Sequence, residues 1–175
     1  MNPLVSLAKL AVENYITDKK IIALPLDFPK EFLTRKAGVF VTIEKNGQLR
    51  GCVGTYLSTR DNIAEETIYN AISAAVHDDR FGQIKKSELP FLSYTISILS
   101  NPELVKDIVE LDAKKFGIIL KAGRKCGLLL PDLEGVNTTA EQISICCQKG
   151  GITLKADAPE IYKFTVEKYD EQGNS

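Results

Sequence analysis

Apolar residues recur along this chain with two periods, one typical of helices and one typical of strands. Between residues 3 and 17 they lie three or four positions apart, directly after an asparagine and a proline. Asn2 can cap a helix and Pro3 suits its first position, so this segment is predicted to be an amphipathic helix. Residues 92–99, LSYTISIL, alternate strictly between apolar and polar side chains. That alternation predicts a half-buried strand.

The segment FVTIEKNGQLRGCVGTY, residues 40–56, is predicted to form a β-hairpin. Two runs rich in strand-forming residues meet at Asn46-Gly47, the pair that best tolerates the positive φ angles of a type I′ turn. A second amphipathic helix is predicted to begin at Asp61 or Asn62, because an apolar stripe with helical spacing follows.

The second half of the chain repeats this plan. Residues 116–130 align with residues 40–54 without gaps at an offset of 76 residues (116 − 40), and the alignment places Gly51 on Gly127. The next helix is predicted to open with Thr138 as its N-cap, in a capping box, and to stop at two consecutive glycines.

A last run, IYKFTVEKY, is predicted to be one strand with Tyr162, Phe164 and Val166 on the same face. The predicted fold is therefore α+β: a duplicated strand-and-helix unit forms a single, mainly antiparallel, barrel-like sheet with flanking helices. We predict one domain over residues 1–175, with internal repeats at roughly residues 38–99 and 114–169.

Charge and composition narrow the range of partners. The 22 basic and 23 acidic residues give a net charge of −1, and the lysines are scattered along the chain. A nucleic-acid partner is therefore not predicted. Apolar runs stay shorter than the ~18 residues of a membrane span, so no membrane association is predicted. The 4 cysteines have no CxxC spacing, which favours a reduced, cytoplasmic protein.

The first candidate chemistry lies in the first hairpin, at Arg50 and Cys52. Residues two apart on a strand share a face, and a regular two-residue turn would place Val41 opposite Cys52 and Ile43 opposite Arg50. A guanidinium beside a thiol stabilises the thiolate, which is the nucleophilic form. Cys52 is thus a candidate catalytic nucleophile, although a buried core thiol packed on Val41 and a metal ligand are alternatives.

Two glycines flank this cysteine and extend the candidate site. Gly51 and Gly54 are expected to leave the main chain uncovered, so that a ligand can approach backbone N–H groups directly. The second hairpin keeps the glycine but has Cys126 and Leu128 at the positions of the polar pair. That difference suggests that the glycine serves the architecture and that the Arg50/Cys52 pair serves another purpose.

The segment HDDRF, residues 77–81, is the second candidate constellation. Carboxylates are disfavoured at a helix C-terminus, so Asp78 or Asp79 is expected to pair with Arg80. Such a pair is either a solvated local ion pair or a device that orients substrate. His77 is expected to cap the helix, with a Cys52/His77 catalytic pair as the alternative. Cys52, His77 and Asp78 could together supply the ligands of a metal site. This is the least favoured hypothesis, and no metal is predicted.

These segments resemble the AMMECR family. The family pattern L-R-G-C-[IV]-G-[TS] is met in full by Leu49 to Thr55, and its D-P-R-F element corresponds to Asp78, Asp79, Arg80 and Phe81. The resemblance continues through a following SEL, GLLLP and QKGGI and covers essentially the whole chain. Asp79 stands where the family usually has proline, and Val136 where it often has tryptophan.

The resemblance implies an α+β fold with a duplicated unit, and a biochemical function that is unsettled. In prokaryotes such proteins commonly accompany a Memo-like protein and a radical S-adenosylmethionine protein, which implies partners in a redox or modification pathway. Two functions follow as expectations. The first is an enzyme without a cofactor that uses Cys52 on a small anionic or protein substrate. The second is a non-catalytic module that binds a ligand or protein with the Arg50/Gly51/Cys52 surface. The predicted substrate-binding residues are Arg50, Gly51, Gly54, Thr55, Asp78 and Arg80.

Overall fold

The computed structural model describes residues 1–174 as two compact units. The first unit contains residues 1–99 and the segment that begins at Glu167, and the second contains Ser100–Val166. Both units combine helices with antiparallel strand pairs, so the predicted α+β class is confirmed. The α-helices are α1 (Pro3–Asp18), α2 (Lys30–Thr34), α3 (Ile63–Val76), α4 (Thr139–Gly150) and α5 (Leu154–Asp157), with 3₁₀ turns at Lys86–Phe91 and Ile108–Glu110.

The strands lie in two sheets. One has the order β2-β1-β3-β8-β9 and the other has the order β4-β7-β5-β6. The strands are β1 (Val39–Lys45), β2 (Gln48–Gly54), β3 (Leu92–Leu99), β4 (Glu103–Leu104), β5 (Gly117–Ala122), β6 (Lys125–Leu129), β7 (Glu160–Phe164), β8 (Val166–Asp170) and β9 (Gly173–Asn174).

Local capping signals placed the helices correctly. The Asn2 side chain accepts a hydrogen bond from the Leu4 amide at 2.9 Å, and Asn62 caps α3 by accepting from the Glu65 amide at 2.8 Å. In α4, Thr138 forms the predicted capping box, and Gly151 ends the helix in the left-handed conformation with φ 63°. These bonds satisfy amides that a helix N-terminus would otherwise leave without partners.

The described strands form two antiparallel sheets, so only the prediction of a single sheet and of one final strand was wrong. The run that was expected to form a single strand breaks at Thr165 into β7 and β8, which belong to different sheets. Ser100 provides the physical reason. Its Oγ accepts the Thr165 amide at 2.8 Å and its own amide donates to the Thr165 carbonyl at 2.9 Å, so both backbone groups of Thr165 are engaged at the break. An alternating pattern cannot signal this long-range bond.

Each unit contains a hairpin with a helix packed against it, β1-β2 with α3 and β5-β6 with α4. At Gly51 an added Cβ would collide with the carbonyl oxygen of Ala74, and at Gly127 it would collide with that of Cys146. The helices therefore approach the hairpins closely through equivalent glycines. The duplication itself stays a prediction, and the matching contacts support it.

The C-terminal ends of the two helices also make matching contacts. The Ile84 amide donates to the Ala75 carbonyl at 2.8 Å, and the Ile152 amide donates to the Cys147 carbonyl at 2.9 Å. In the first unit, α1 covers α3 with a buried apolar face. Among the described residues, no helix is long and apolar enough to cross a membrane.

Candidate functional site

The first hairpin turns as predicted but its register differs. Asn46 and Gly47 have φ angles of 52° and 77°, which the type I′ turn requires. A β-bulge then leaves Arg50 as an extra residue, because Glu44 pairs with Leu49 while Ile43 pairs with Gly51. A bulge shifts the following residues by one position and reverses the face to which their side chains point.

The bulge moves Cys52 away from the predicted partner Val41. Cys52 pairs with Thr42, and its Sγ lies 3.3 Å from the Thr42 hydroxyl. Val41 instead pairs with Val53 on the face that α3 covers. Cys52 is half-buried on the opposite face of the sheet. The alternative of a core thiol packed on Val41 was therefore wrong, and the sulfur lies beside the Thr42 hydroxyl.

Asp78 connects this strand to the end of helix α3. Its Oδ2 accepts the Cys52 backbone amide at 2.9 Å, and both carboxylate oxygens accept donors of Arg80. The Asp78 side chain is only 6% exposed. The hydrogen bonds from the Arg80 side chain, helped by the Cys52 amide, lower the pKa of Asp78 to about 2. Asp78 is therefore a fixed anion over the physiological range.

Arg80 forms the predicted pair with Asp78 and keeps part of its guanidinium in solvent. Its Nε and Nη2 donate to Asp78 at 3.0 and 2.8 Å, while the side chain remains 55% exposed. The bond to Asp78 raises the pKa of Arg80, and the charge of the Cys52 thiolate contributes in the same direction. Cys52, Asp78 and Arg80 therefore form one cluster, which we call the thiol cluster.

Arg50 has a different role from the one predicted. Its Nε and Nη2 donate to the two carboxylate oxygens of Glu88 at 3.0 and 3.1 Å, and its other bonds reach the carbonyls of Gly82 and Gln83. Arg50 and Glu88 are 15% and 12% exposed. The bond from Arg50 lowers the pKa of Glu88 to about 2, with Lys45 adding to the effect. Arg50 thus fastens the bulge to the loop after Arg80, and its position opposite Ile43 was wrongly predicted.

The two glycines also differ from the expectation of an uncovered main chain. Gly51 faces the Ala74 carbonyl, and an added Cβ at Gly54 would collide with the Phe40 ring. Both glycines are therefore needed for close packing inside the first unit. The backbone donor that is prominent at this site is the Cys52 amide, and Asp78 accepts it.

Thr55 binds a buried carboxylate that the sequence did not reveal. Its hydroxyl donates to Glu66 Oε1 at 2.7 Å, and the side-chain amide of Asn70 donates to the Thr55 oxygen at 3.2 Å. Glu66 is 1% exposed and also accepts donors from the loop at residues 58–60. Burial opposes its charge, but the hydrogen bonds from Thr55 and Thr59 lower the pKa of Glu66. Thr55 thus helps to fix the loop that follows β2.

The functional contacts of two acidic residues, Glu88 and Glu66, are not evident from the sequence pattern. Glu88 carried only a faint signal, as the acidic residue of the SEL segment, and its partner lies 38 positions away at Arg50. Glu66 looked like an ordinary first-turn acid of α3. Asn70, one helical turn later, lies on the same polar face and is buried as well, at 7% exposure. Polar residues at four-residue spacing were the signal that could have found this network.

His77 caps helix α3 as expected, and a metal site receives no geometric support among the described residues. His77 is exposed and is the C-cap of α3, where its backbone amide donates to the Ser73 carbonyl at 2.7 Å. Among the described residues, no group of three or more histidine, cysteine, aspartate or glutamate side chains is arranged to hold a metal ion.

Comparison with known proteins shows the family of this chain. The family profile of AMMECR1 matches residues 5–169. The chain belongs to the AMMECR1 family. A protein of Thermotoga maritima is 48% identical to it, with 96% of this chain and 97% of that protein aligned. A protein of Thermococcus kodakarensis is 37% identical, with 97% and 89% aligned.

A solved structure and a longer protein are also similar to this AMMECR1-family chain. The crystal structure of an uncharacterized protein, PH0010 from Pyrococcus horikoshii, is similar to this chain with a TM-score of 0.86 and 34% identity, covering 97% of this chain and 90% of that one. A Clostridium acetobutylicum protein is 43% identical over 97% of this chain, but the chain spans only 36% of that protein's length. The AMMECR1 fold is therefore shown, and the biochemical function of this family member is a matter for proposal.

Proposed function

We propose that this AMMECR1-family protein is an enzyme in which Cys52 is the nucleophile and Arg80 binds an anionic part of the substrate. One observation carries the proposal: the Cys52 amide and the Arg80 guanidinium are held by the same buried carboxylate of Asp78. In that arrangement the charge of a Cys52 thiolate contributes to the raised pKa of Arg80. A nearby cation stabilises a thiolate, and the half-buried sulfur is not enclosed in the core.

The arrangement suits transfer of an acyl-type group to the sulfur. In this cycle the Cys52 thiolate attacks the electrophilic carbon, the new C–S bond forms, and the bond to the leaving group breaks with a proton taken up from solvent. Water then attacks the thioester, which releases the acid and restores the thiolate and a proton. Asp78 uses Nε and Nη2 of Arg80, so Nη1 is the donor that can meet a substrate anion.

Alkylation by iodoacetamide, followed by peptide mass spectrometry, tests the state of the thiol. We expect the alkylation of Cys52 to reach half its maximal rate at a pH below ~8.5, which is the pKa of an unperturbed thiol. The chain supplies matched controls at exposed Cys126, half-buried Cys147 and buried Cys146. Burial raises the pKa of Cys146 to about 12, so that thiol should stay unmodified.

Variants of Arg80 test whether its charge, and not only the solvent exposure of the sulfur, controls the alkylation of Cys52. Arg80→Gln should shift the alkylation of Cys52 to higher pH, while Arg80→Lys should shift it less, because a cation is retained. If Cys52 titrates like Cys126 in the native protein, or if Arg80→Gln leaves its profile unchanged, the proposed nucleophile is wrong.

A second candidate function is a non-catalytic binding module. The supporting observation is that Arg80 lies over the ring of Phe81 at 5.1 Å, and both side chains are exposed at the surface. Inorganic phosphate and acetate, titrated by NMR, are suitable probes. In a binding module Cys52→Ser should leave the shifts intact while Arg80→Ala removes them. A loss confined to Cys52→Ser would favour the enzyme. Partnership with a Memo-like protein and a radical S-adenosylmethionine protein stays a prediction from the family resemblance.

A further inference from the structure

The second unit has an apolar groove along helix α4, with a volume of about 600 Å³. Exposed apolar side chains gather at it. Ile108 and Leu154 on its lining are 56% and 50% exposed, and Val109, next to Ile108, is 78% exposed. A groove of this size with a mainly apolar lining is typical of a binding site. We call it the α4 groove, and its lining includes Ile108, Ile143, Cys147, Ile152, Leu154 and Lys155.

The first unit shows what covers the corresponding face of its own helix. The glycine contacts align α3 with α4 at an offset of 72 residues, because Ala74 corresponds to Cys146 (146 − 74). The contacts at the helix ends give the same offset, as Ala75 corresponds to Cys147 (147 − 75). The two contacts therefore support the same matching of residues between the helices.

At this offset the groove-lining residues of α4 match the apolar stripe of α3. The stripe is buried, with exposures of 6% or less, in a core that includes α1, which packs on α3. On α4 the same positions include two exposed residues and one that is half-buried. The second unit therefore leaves open a face that the first unit covers with a helix. The matched pairs are Ile68 with Ala140, Ala71 with Ile143, Ile72 with Ser144, and Ala75 with Cys147.

We propose that the α4 groove is the docking site for an amphipathic helix of a partner protein, in the position that α1 occupies over α3. Small residues at Ala140 and Ser144 let a helix approach closely, and the apolar walls can receive side chains spaced three and four positions apart. Among the nine described lining residues Lys155 alone is charged, so the partner helix carries an acidic residue on that side. This inference does not depend on the proposed function of Cys52.

The probe is a peptide of residues 2–18 of this chain, which is the sequence that covers α3 and which carries acidic residues at Glu13 and Asp18. It is added to the full-length protein, and alkylation of Cys147 by iodoacetamide reports occupancy of the groove. We expect Cys147 to react about tenfold more slowly when roughly nine-tenths of the sites are filled. Cys126, which is exposed on β6, should react at an unchanged rate.

Matched variants locate the effect. Ser144→Glu places a charge in the groove at an exposed position, so it should remove the protection and leave the circular dichroism spectrum unchanged. Lys155→Glu should weaken binding several-fold by charge repulsion. A peptide with Leu7→Lys, in which the apolar face is interrupted, should not protect Cys147.

Five results would overturn the proposal. They are no protection at any soluble peptide concentration, equal protection by the Leu7→Lys peptide, and retained protection in Ser144→Glu. The fourth is protection by decanoate but not by the peptide, which would assign the groove to a small amphiphile. Self-association that is abolished by Ser144→Glu would likewise replace the partner protein by a second copy of this chain.

Discussion

The two hairpin-and-helix units share a close glycine contact and differ around it, and the difference separates architecture from chemistry. In both, a glycine on the second strand lets a helix carbonyl approach the hairpin, at Gly51 and at Gly127. Beside Gly127 stand the exposed Cys126 and the half-buried Leu128, whereas Gly51 lies between Arg50 and Cys52. A hairpin can therefore pack on its helix without an arginine and thiol at these positions. The polar pair in the first unit serves the clamp to Glu88 and the thiol cluster.

The largest effect is expected at the glycines, where the units agree. Gly51→Ala and Gly127→Ala should each lower the free energy of unfolding by about 3 kcal/mol or more, because backbone must move to admit the Cβ. Urea denaturation measures the loss. Gly47→Asn is the control, since nothing lies within 4 Å of that position. It should cost less than about 1 kcal/mol, because asparagine tolerates a positive φ. Tolerance of alanine at only one glycine would break the parallel between the units.

A smaller loss is expected at the Arg50 clamp, where the units differ. Arg50→Lys should lower the free energy of unfolding by about 2 kcal/mol, because lysine cannot bind both Glu88 oxygens and the loop carbonyls together. The same denaturation experiment on Cys126→Ser provides the counterpart in the second unit. If Arg50→Lys leaves the free energy of unfolding unchanged, the clamp contributes nothing to stability.

Asp78 is expected to make stability depend on pH. Its folded pKa lies below its unfolded value, so its contribution is present above about pH 4 and disappears as the pH falls toward about 2. At pH 7 Asp78→Asn should cost about 1 to 2 kcal/mol, a figure that allows for the solvent exposure of Arg80. The gap between native and variant protein in thermal unfolding should close by about pH 2. A constant gap between pH 7 and pH 2 would contradict the assignment. In the second unit, Asp157→Asn should show a much weaker dependence, because the Asp157 side chain is 21% exposed whereas that of Asp78 is 6% exposed.

The smallest effect is expected at Cys126. This residue is exposed and occupies the position that Arg50 holds in the first unit. Cys126→Ser should change the free energy of unfolding by less than about 0.5 kcal/mol. A larger loss would show that the second hairpin also depends on this position.

Short-range signals in the sequence predicted more of this molecule than long-range ones. The turn at Asn46-Gly47, the cap at Asn2 and the pair of Asp78 with Arg80 were all predicted, because each depends on residues within a few positions. The bulge at Arg50 was missed, since its partner Glu88 is distant in sequence. The family motif identified the fold and drew attention to Cys52, but it could not show that the cysteine faces Thr42.

The same limit explains the other errors. Asp78 binds the Cys52 amide across 26 positions, and the Thr165 break depends on Ser100 across 65. The periodicity of apolar residues indicates which face of a helix or strand is buried, but it does not predict hydrogen bonds between residues distant in sequence. Glu66 shows the converse case, in which a charged residue on a helix is buried because a distant loop supplies its hydrogen bonds.

The carboxylate of Asp78 has a consequence for how separate molecules of this protein behave. Strand β2 is the outermost strand of its sheet, and the Cys52 amide would otherwise be a free donor along that margin. An unprotected margin invites another chain to add as an extra strand and so begins aggregation. Because the Asp78 carboxylate accepts the Cys52 amide next to the β-bulge, it protects this edge of the sheet from pairing with another chain. Asp78 therefore protects the edge of the sheet in addition to holding Arg80.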